Sequence, residues 1–234
     1  MFTPARRRGS EILDDPNADA ALSLRSLRDV ALANRLFGGR RAVLFELRKL
    51  LRAYPAGSTV TMLDVGTGLG DIPAAAAQLA ASRGVNLRTI GLERAPQLAS
   101  AAAQQCHHAV AGDAMGLPFA DGAIDIVICS QVLHHFDGLD AARLLQECTR
   151  VVRTAVIVGD LRRSWLAVAG LWLSSFVLGF HPVSRHDGVV SVLRGYTPAE
   201  LRVLVREATG CRCKVWPGWG FRLTAVWSPA VRHS

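Results

Sequence analysis

The stretch Leu63-Asp64-Val65-Gly66-Thr67-Gly68-Leu69-Gly70-Asp71 decides the fold of this chain. It follows an apolar run at 60–65, which predicts a strand, and precedes an alanine-rich segment at 72–82, which predicts a helix. Open α/β sheets bind their ligands at such turns, beyond the carboxyl ends of the strands. Glycines suit this position because they let the backbone turn sharply and approach a ligand without a Cβ atom.

The spacing of these glycines and the acids beside them narrow the ligand class. The pattern is G-x-G-x-G, whereas G-x-G-x-x-G is the spacing that admits a pyrophosphate at a helix N-terminus. Asp64 and Asp71 add negative charge, which disfavours a phosphate and favours a ligand that carries sulfonium and ammonium groups. The alternative is a tight turn without any ligand.

Two more acids follow later strands. Glu93 ends a predicted strand at 87–92 and could accept both hydroxyls of a ribose; alternatively, it stabilises the N-terminus of the next helix. Asp113 follows a short predicted strand at 108–111 and could accept from an adenine amino group. Its alternative is an ordinary turn aspartate.

Strand and helix signals alternate through most of the chain, which predicts parallel strands with helices on both faces. Further strands are predicted at 124–130 and 155–159, and further helices at 96–105, 139–150 and 197–208. Segments 212–216 and 222–227, separated by Pro217-Gly218, predict an antiparallel hairpin. Residues 19–53 predict two N-terminal helices that are separated at Gly38-Gly39.

Together these residues resemble the class I S-adenosylmethionine-dependent methyltransferase family. The family's glycine motif matches 64–70, its ribose-binding acid matches Glu93, and its adenine-proximal acid matches Asp113. Segments 112–127 and 130–136 resemble the small-molecule branch, which includes ubiquinone/menaquinone-type C-methyltransferases and natural-product O-methyltransferases. One departure is Arg150-Val151-Val152-Arg153-Thr154, where relatives usually carry a Pro-Gly-Gly turn.

The resemblance implies a doubly wound, mostly parallel α/β sheet of seven strands, Rossmann-like, with S-adenosyl-L-methionine as cofactor. We therefore expect an N-terminal helical extension at 1–57 and the methyltransferase domain at 58–234, with a helical lid insertion at about 161–196. The cofactor-binding residues it implies are Asp64, Gly66, Thr67, Gly68, Gly70, Glu93, Arg94, Asp113, Ala114, Ser130 and Gln131.

Histidines are the candidate general bases, which are needed only if the acceptor is a hydroxyl or a carbon acid. His134 and His135 follow the fourth strand; alternatively, they cap the next loop or pack under the cofactor. His186, together with His181 and Asp187, is a rival candidate in the insertion, and Asp160 also faces the ligand edge. We expect no metal site, since the five cysteines lack zinc-ligand spacing.

The insertion is predicted to choose the substrate. Residues 164–180 carry no charge, but they fall short of the about 20 apolar residues of a membrane span. We expect a helical lid over an apolar pocket; an interfacial helix that takes substrate from a membrane is the alternative. Residues 185–196 add polar groups and could instead form an exposed connecting loop. The mixture predicts an acceptor with a large apolar body and one polar end.

Composition predicts one globular domain with small additions, since 50% of the 234 residues are hydrophobic and 20% are charged. The basic first ten residues lack an apolar run, so we expect no secretory signal and a cytoplasmic location, with membrane association as an open alternative. The net charge of +8 is distributed among acidic residues, so we expect a small hydrophobic substrate and no nucleic acid. The sequence leaves the oligomeric state open.

The sequence hypothesis is methyl transfer to oxygen or carbon of a small hydrophobic metabolite, such as a phenol, quinone, polyketide or isoprenoid. RNA or protein methylation is an alternative, but Cys129-Ser130-Gln131-Val132 stands where many amino-group methylators carry N/D-P-P-Y/F. A non-catalytic partner subunit that binds S-adenosylmethionine is a second alternative. An NAD-dependent dehydrogenase is a third, which the glycine spacing disfavours.

Overall fold

A computed structural model describes residues 3–7, 9–15 and 19–230. The remaining positions include Arg8 of the basic N-terminal run and the outer ends of the predicted segments 1–57 and 58–234, and these lie outside the description. The helices are α1 (Ala20–Leu36), α2 (Gly39–Leu51), α3 (Asp71–Ala81), α4 (Pro96–Ala102), α5 (Gly138–Val151), α6 (Trp165–Val177), α7 (Pro182–Arg194) and α8 (Pro198–Thr209). The strands are β1 (Thr59–Val65), β2 (Asn86–Glu93), β3 (His108–Ala111), β4 (Ile124–Ser130), β5 (Val152–Leu161), β6 (Lys214–Gly218) and β7 (Arg222–Trp227).

The seven strands form one sheet in the order β3-β2-β1-β4-β5-β7-β6. Strands β1 to β5 pair in parallel, and β7 pairs antiparallel with both β5 and β6. The predicted seven-stranded, mostly parallel Rossmann-like sheet with a C-terminal hairpin is confirmed. From β1 the chain adds β2 and β3 on one side and then β4 and β5 on the other, so the strand order reverses between β1 and β4. Open α/β sheets bind ligands at such a switch point.

Apolar side chains cover both faces of the sheet, as continuous apolar strands require. On one face, α2 and α3 bury residues such as Leu47 and Ala76 against Ile128. On the other face, α5 and α8 bury residues such as Leu144 and Leu201. Gly38, at φ +79°, separates α1 from α2 at the predicted break.

Three boundaries differ from the sequence predictions. Strand β5 begins at Val152, directly after α5, because the backbone becomes extended at Val152 without the family's Pro-Gly-Gly turn. Pro217 and Gly218 lie inside β6, and the hairpin turns at Trp219–Phe221 instead. Proline is tolerated there because β6 is an edge strand. Helix α4 ends at Ala102 rather than near residue 105.

The insertion consists of two helices, α6 and α7. Helix α7 takes the place of the connecting loop that was an alternative for 185–196, and it begins with His181 as its N-cap and Pro182 in its first turn. Leu171 of α6 packs against Gly188 of α7 so closely that a Cβ at residue 188 would lie 2.8 Å from the leucine Cδ2. Within the described part of the chain, every helix is too short or too polar to cross a membrane.

Candidate functional site

The glycine loop joins β1 to α3 at the switch point of the sheet. The backbone N–H groups of Gly66 and Thr67 donate to the Leu92 carbonyl at 2.8 and 3.0 Å, which fixes the loop against the end of β2. Gly66 has φ +68°, and a Cβ there would overlap the Val132 side chain. Gly68 has φ +56°, and its nearest neighbour is Leu27 of α1, at an ordinary 3.5 Å from the position of a Cβ. Packing therefore requires the first glycine, whereas the second leaves room for a ligand under α1.

Two aspartates beside this loop retain carboxylate oxygens without partners. Asp64 is buried; its Oδ2 accepts from the Thr67 hydroxyl at 2.9 Å, and its Oδ1 has no hydrogen-bond partner among the described residues. Burial raises the pKa of Asp64 to about 8; the Thr67 hydrogen bond opposes the rise, and the charges of Asp71 and Glu93 add to it. Oδ2 of Asp71 is also without a described partner, and burial raises the pKa of Asp71 against the charge of Arg40. Burial thus disfavours the ionised form of both carboxyl groups, and a cationic ligand would stabilise that form.

Glu93 lies opposite the loop at the end of β2. Its Oε2 accepts from the Gly68 N–H at 3.0 Å, and its Oε1 accepts from the Arg94 N–H at 2.9 Å. Each carboxylate oxygen has a second lone pair, which remains for a ligand hydroxyl. Both bonds go to residues ahead of α4, so among the described residues Glu93 makes no hydrogen bond to that helix. The Arg94 side chain is exposed.

The loop after β3 returns to the same edge, because the Gly112 N–H donates to the Glu93 carbonyl at 3.0 Å. Asp113 is exposed, and its Oδ1 accepts from the Met115 N–H at 2.9 Å, as a turn aspartate does. Ala114 packs against the apolar core on the α5 side of the sheet. Asp113 therefore lies where the predicted contact with adenine requires it, and its hydrogen bond with the Met115 N–H also stabilises the local turn.

The end of β4 is the third part of this edge. Ser130 is buried, and its Oγ has no hydrogen-bond partner in the described ranges. Gln131 adopts φ +57°, a conformation that costs about 1–3 kcal/mol outside glycine and is concentrated at functional sites. Its N–H donates to the Gly159 carbonyl at 2.7 Å, and its side chain donates to Asn34 of α1.

His134 follows Gln131 in a short 3-10 turn and is held by Asp160 from the end of β5. The His134 N–H donates to Asp160 Oδ2 at 2.9 Å, and the ring Nδ1 lies 2.6 Å from Asp160 Oδ1. Burial alone would raise the pKa of Asp160, but the charge and hydrogen bond of His134 and the Leu161 N–H outweigh it and lower the pKa below its usual value. The aspartate thus remains ionised and orients the imidazole, and Nε2 is the nitrogen left for chemistry.

The N-terminal segment, residues 9–15, covers Nε2 of His134. Nε2 of His134 lies 3.7 Å from Glu11 Oε1, and Nδ1 of His135 lies 2.9 Å from Asp14 Oδ1. Burial lowers the pKa of His135, but the Asp14 hydrogen bond and the Glu11 charge raise it overall above its usual value. Arg194 of α7 pairs with Asp14 at 2.7 Å and with Glu11 at 3.4 Å.

Glu11, His134 and His135 place their ligand atoms within 4.8 Å of one another, close enough to hold a metal ion. The Arg194 guanidinium, however, already supplies positive charge to Glu11 Oε1, and the Ser191 hydroxyl donates to that oxygen at 2.7 Å. We interpret the cluster as a network of ion pairs and hydrogen bonds, and the absence of a metal remains a prediction.

The rival histidines of the insertion have other contacts. His186 is more than half exposed, and its Nδ1 lies 2.8 Å from Asp187. Asp187 accepts from the backbone N–H groups of Ile12 and Leu13, and His181 caps α7. Among the described hydrogen bonds, none joins His186 to His134, His135 or Asp160, so the structure does not bring this candidate to the sheet edge.

A cavity of about 70 Å³ lies beside the two histidines, lined by Arg6, Arg7 and Gly9 on one side and by 134–137 and Arg194 on the other. Ligand pockets are usually 300–1,000 Å³, so an acceptor would reach His134 only after the N-terminal segment moves.

Sequence reasoning missed several residues of this site, because their partners are far away along the chain. Glu11 and Asp14 meet His134 and His135 across more than a hundred positions, and no local pattern indicates such a contact. Arg222, at the start of β7, is buried near Asp160, and its Nη1 has no partner among the described residues. Burial lowers the pKa of Arg222 to about 10, against the charge of Asp160. In the sequence, the one sign of a role for Arg222 is that an arginine begins a predicted strand.

Comparison with known proteins agrees with this geometry. The family described as "Methyltransferase domain" matches residues 63–158. An uncharacterized methyltransferase of Mycolicibacterium gilvum (strain PYR-GCK) is 32% identical over 158 residues, which cover 64% of this chain and 53% of that protein. The chain spans about half the length of the curated relatives it matches.

Solved structures share the fold at low identity. A SAM-dependent methyltransferase from Aquifex aeolicus has a TM-score of 0.59 at 15% identity, covering 87% of this chain and 97% of that one. Magnesium protoporphyrin IX methyltransferase from Synechocystis PCC 6803, with bound S-adenosylhomocysteine (SAH), has a TM-score of 0.55 at 15% identity, covering 82% and 84%. The matched segment runs from the end of β1 through the glycine loop, Glu93, Asp113 and the two histidines into β5, so residues 63–158 form a class I S-adenosylmethionine-dependent methyltransferase domain, with S-adenosylmethionine as its cofactor.

Proposed function

We propose that the protein transfers a methyl group from S-adenosylmethionine to oxygen or carbon of a small hydrophobic acceptor that ends in an acidic hydroxyl or C–H group. The observation that carries this proposal is the buried His134–Asp160 pair, which lies at the same sheet edge as the glycine loop and follows β4. A methyl transfer to a neutral amine or to a thiolate would need no such base.

The glycine-loop edge fits the cofactor. Glu93 would accept from the ribose hydroxyls, and Asp113 would lie near the adenine. The unpartnered oxygens of Asp64 and Asp71 indicate that this edge suits a ligand with positive charge. When bound, the cofactor supplies an already activated methyl group, so the protein has mainly to orient the acceptor and exclude water.

His134 would take the proton of the acceptor at Nε2. Asp160 holds the opposite nitrogen and stabilises the imidazolium that forms, and nearby Glu11 adds negative charge on the acceptor side. Since Nε2 faces the N-terminal segment, binding of the acceptor requires that residues 9–15 move away from the 3-10 turn. His135 is already paired with Asp14 and would hold this segment rather than act as the base.

The insertion presents an apolar outer surface, which supports a hydrophobic acceptor. Helix α6 has no charged residue, and α7, which packs against it, contacts the histidines through Arg194, which donates to the His135 carbonyl at 2.8 Å. RNA or protein remains the alternative acceptor, favoured only by the net charge of +8.

The test begins with calorimetric titration of the protein with S-adenosylmethionine, SAH and NAD⁺. We expect affinity for the first two on a micromolar scale (about −8 kcal/mol) and no binding of NAD⁺. Release of SAH is then measured with alkylphenols of increasing chain length and, separately, with transfer RNA and a mixed protein substrate. Turnover confined to the phenols supports the proposal, and turnover confined to RNA or protein overturns the acceptor class.

His134→Gln isolates the base. We expect the rate of transfer to fall by about 10²- to 10⁴-fold, as loss of general base catalysis does, with unchanged affinity for SAH. His186→Gln is the matched control, because that histidine also pairs with an aspartate but lies in the insertion. Equal losses in the two variants would remove His134 from its role as the base.

A further inference from the structure

Helix α6 exposes its apolar face to solvent, whereas a surface helix of a globular protein normally buries that face. Its outward positions are apolar: Trp165, Leu166, Trp172, Leu173, Phe176 and Val177. Its inward positions include the small polar Ser175, which is fully buried, and Ala167. An ordinary surface helix buries its apolar stripe and exposes polar residues.

The exposed residues form one continuous stripe rather than scattered side chains. They recur at positions 165, 172 and 176 and at 166, 173 and 177, which are spacings of seven and four residues along a helix. Val177 is 88% exposed and Leu173 is 61% exposed. Contiguous apolar surface of this kind indicates an interaction site.

Arginines lie at both ends of the stripe. At the N-terminal end, the Arg7 guanidinium lies 5.8 Å from the ring centre of Trp165. At the C-terminal end, the Arg185 guanidinium lies 3.6 Å from the ring centre of Phe176, and Arg25 donates to the Gly179 carbonyl at 3.2 Å. Helices that lie in a membrane interface combine such an apolar face, rich in tryptophan, with flanking basic residues.

Helix α6 is too short to insert across a bilayer, so the stripe would lie along the surface. It is also firmly placed. Leu171 packs against α7, and Ala167 and Val168 join a small apolar cluster with Leu161 and Val192. The stripe is therefore presented outward by the fold.

We propose that the exposed stripe of α6, with Arg7, Arg25 and Arg185, binds the surface of an anionic lipid bilayer. The apolar side chains enter the boundary between headgroups and acyl chains, and the guanidinium groups contact lipid phosphates. Charge complementarity selects this occupant over a neutral apolar partner. The inference goes beyond the proposed function, since binding to a bilayer does not require methyl transfer.

The test is co-sedimentation of the full chain with vesicles. Vesicles of phosphatidylcholine with about a third phosphatidylglycerol are compared with vesicles of phosphatidylcholine alone. We expect binding to the anionic vesicles that weakens as salt is added. No binding to anionic vesicles, or equal binding to both kinds, overturns the proposal.

Leu173→Glu tests the apolar stripe. We expect its partition onto anionic vesicles to fall about tenfold or more, because one buried leucine contributes roughly that factor. Leu139→Glu at the start of α5 is the matched control, with the same change at a leucine that is 89% exposed. It should leave the partition unchanged, and equal losses in the two variants contradict the assignment to α6. Calorimetric affinity for SAH should be the same in both, which separates this result from a failure of the proposed function.

Arg7→Gln tests the basic end of the stripe against Arg206→Gln, an exposed arginine of α8. The first should weaken anionic binding about fivefold and the second should not. Analytical ultracentrifugation of the wild type and Leu173→Glu completes the test. If the wild type dimerises without binding vesicles, and Leu173→Glu is monomeric, the stripe binds a second copy of this chain and the lipid proposal is wrong.

Discussion

The two halves of the sheet edge differ in how many hydrogen bonds their aspartates accept. At the glycine loop, Asp64 and Asp71 keep carboxylate oxygens without a described hydrogen-bond partner. At the histidine turn, which is the short 3-10 turn Leu133–His135, Asp160 accepts from the His134 N–H, the His134 ring and the Leu161 N–H. The pKa of Asp64 is raised to about 8, whereas the pKa of Asp160 is lowered. Both aspartates are fully buried at strand ends, so position alone does not explain the difference.

The difference separates a site that awaits a partner from one that the chain completes itself. An unpaired buried carboxylate costs free energy that folding must offset elsewhere, and a cationic ligand recovers it. A carboxylate with three donors is instead part of the folded state and orients what it holds. Ligand binding should therefore depend on the glycine loop, and folding should depend on the histidine turn.

Asp160→Ala should have the largest effect, because it leaves His134 without its partner and buried Arg222 without a nearby opposite charge. We expect the free energy of unfolding to fall by about 3–5 kcal/mol, as when one partner of a buried charged pair is removed. Urea denaturation at neutral pH measures it.

Asp121→Ala is the control for Asp160→Ala. Asp121 pairs with Arg150 at 2.9 Å on the surface, and such exposed pairs contribute at most about 1 kcal/mol. Similar small losses in both variants would show that the histidine turn is not part of the stabilising core.

Local pattern predicted the glycine loop and most of the sheet, because each strand and turn there is defined by neighbouring residues. It also placed Asp160 and His134 at one edge, since parallel strands bring their carboxyl ends together. It did not predict that Glu11 would reach His134, since that contact spans more than a hundred residues and depends on how α7 packs. The sequence likewise did not predict that the apolar face of α6 is exposed, because an apolar run has the same pattern whether it faces inward or outward.

Glu93→Ala tests whether the glycine loop serves a ligand. We expect affinity for SAH to weaken by about 1–3 kcal/mol, since charge-assisted hydrogen bonds to hydroxyls would be lost. Calorimetric titration measures it. Asp113→Ala is the comparison, and we expect a smaller loss because this carboxylate is exposed and serves its own turn. Unchanged affinity in Glu93→Ala would exclude Glu93 from the ribose role.

Asp64→Asn should change stability in the direction opposite to Asp160→Ala, by an amount that depends on pH. The pKa of Asp64 is about 8 in the folded protein, and it is about 3.9 in an unfolded chain. Between these values the folded state holds a proton that the unfolded state has released, so the free energy of unfolding falls as pH rises, by at most about 1.4 kcal/mol per pH unit. Asp64→Asn lacks this loss, and its stability advantage over the wild type should grow from about pH 5 to pH 8 in urea denaturation.

Saturating S-adenosylmethionine sharpens the same comparison. A bound cation favours the ionised form of Asp64, so the wild type should recover stability on binding, and the advantage of Asp64→Asn should shrink. SAH lacks the sulfonium charge and should reduce the advantage less. Parallel pH curves for the two proteins would mean that folding does not raise the pKa of Asp64. The contrast between the two halves of the sheet edge would then rest on hydrogen bonds alone, and the argument for a cationic ligand would lose its electrostatic basis.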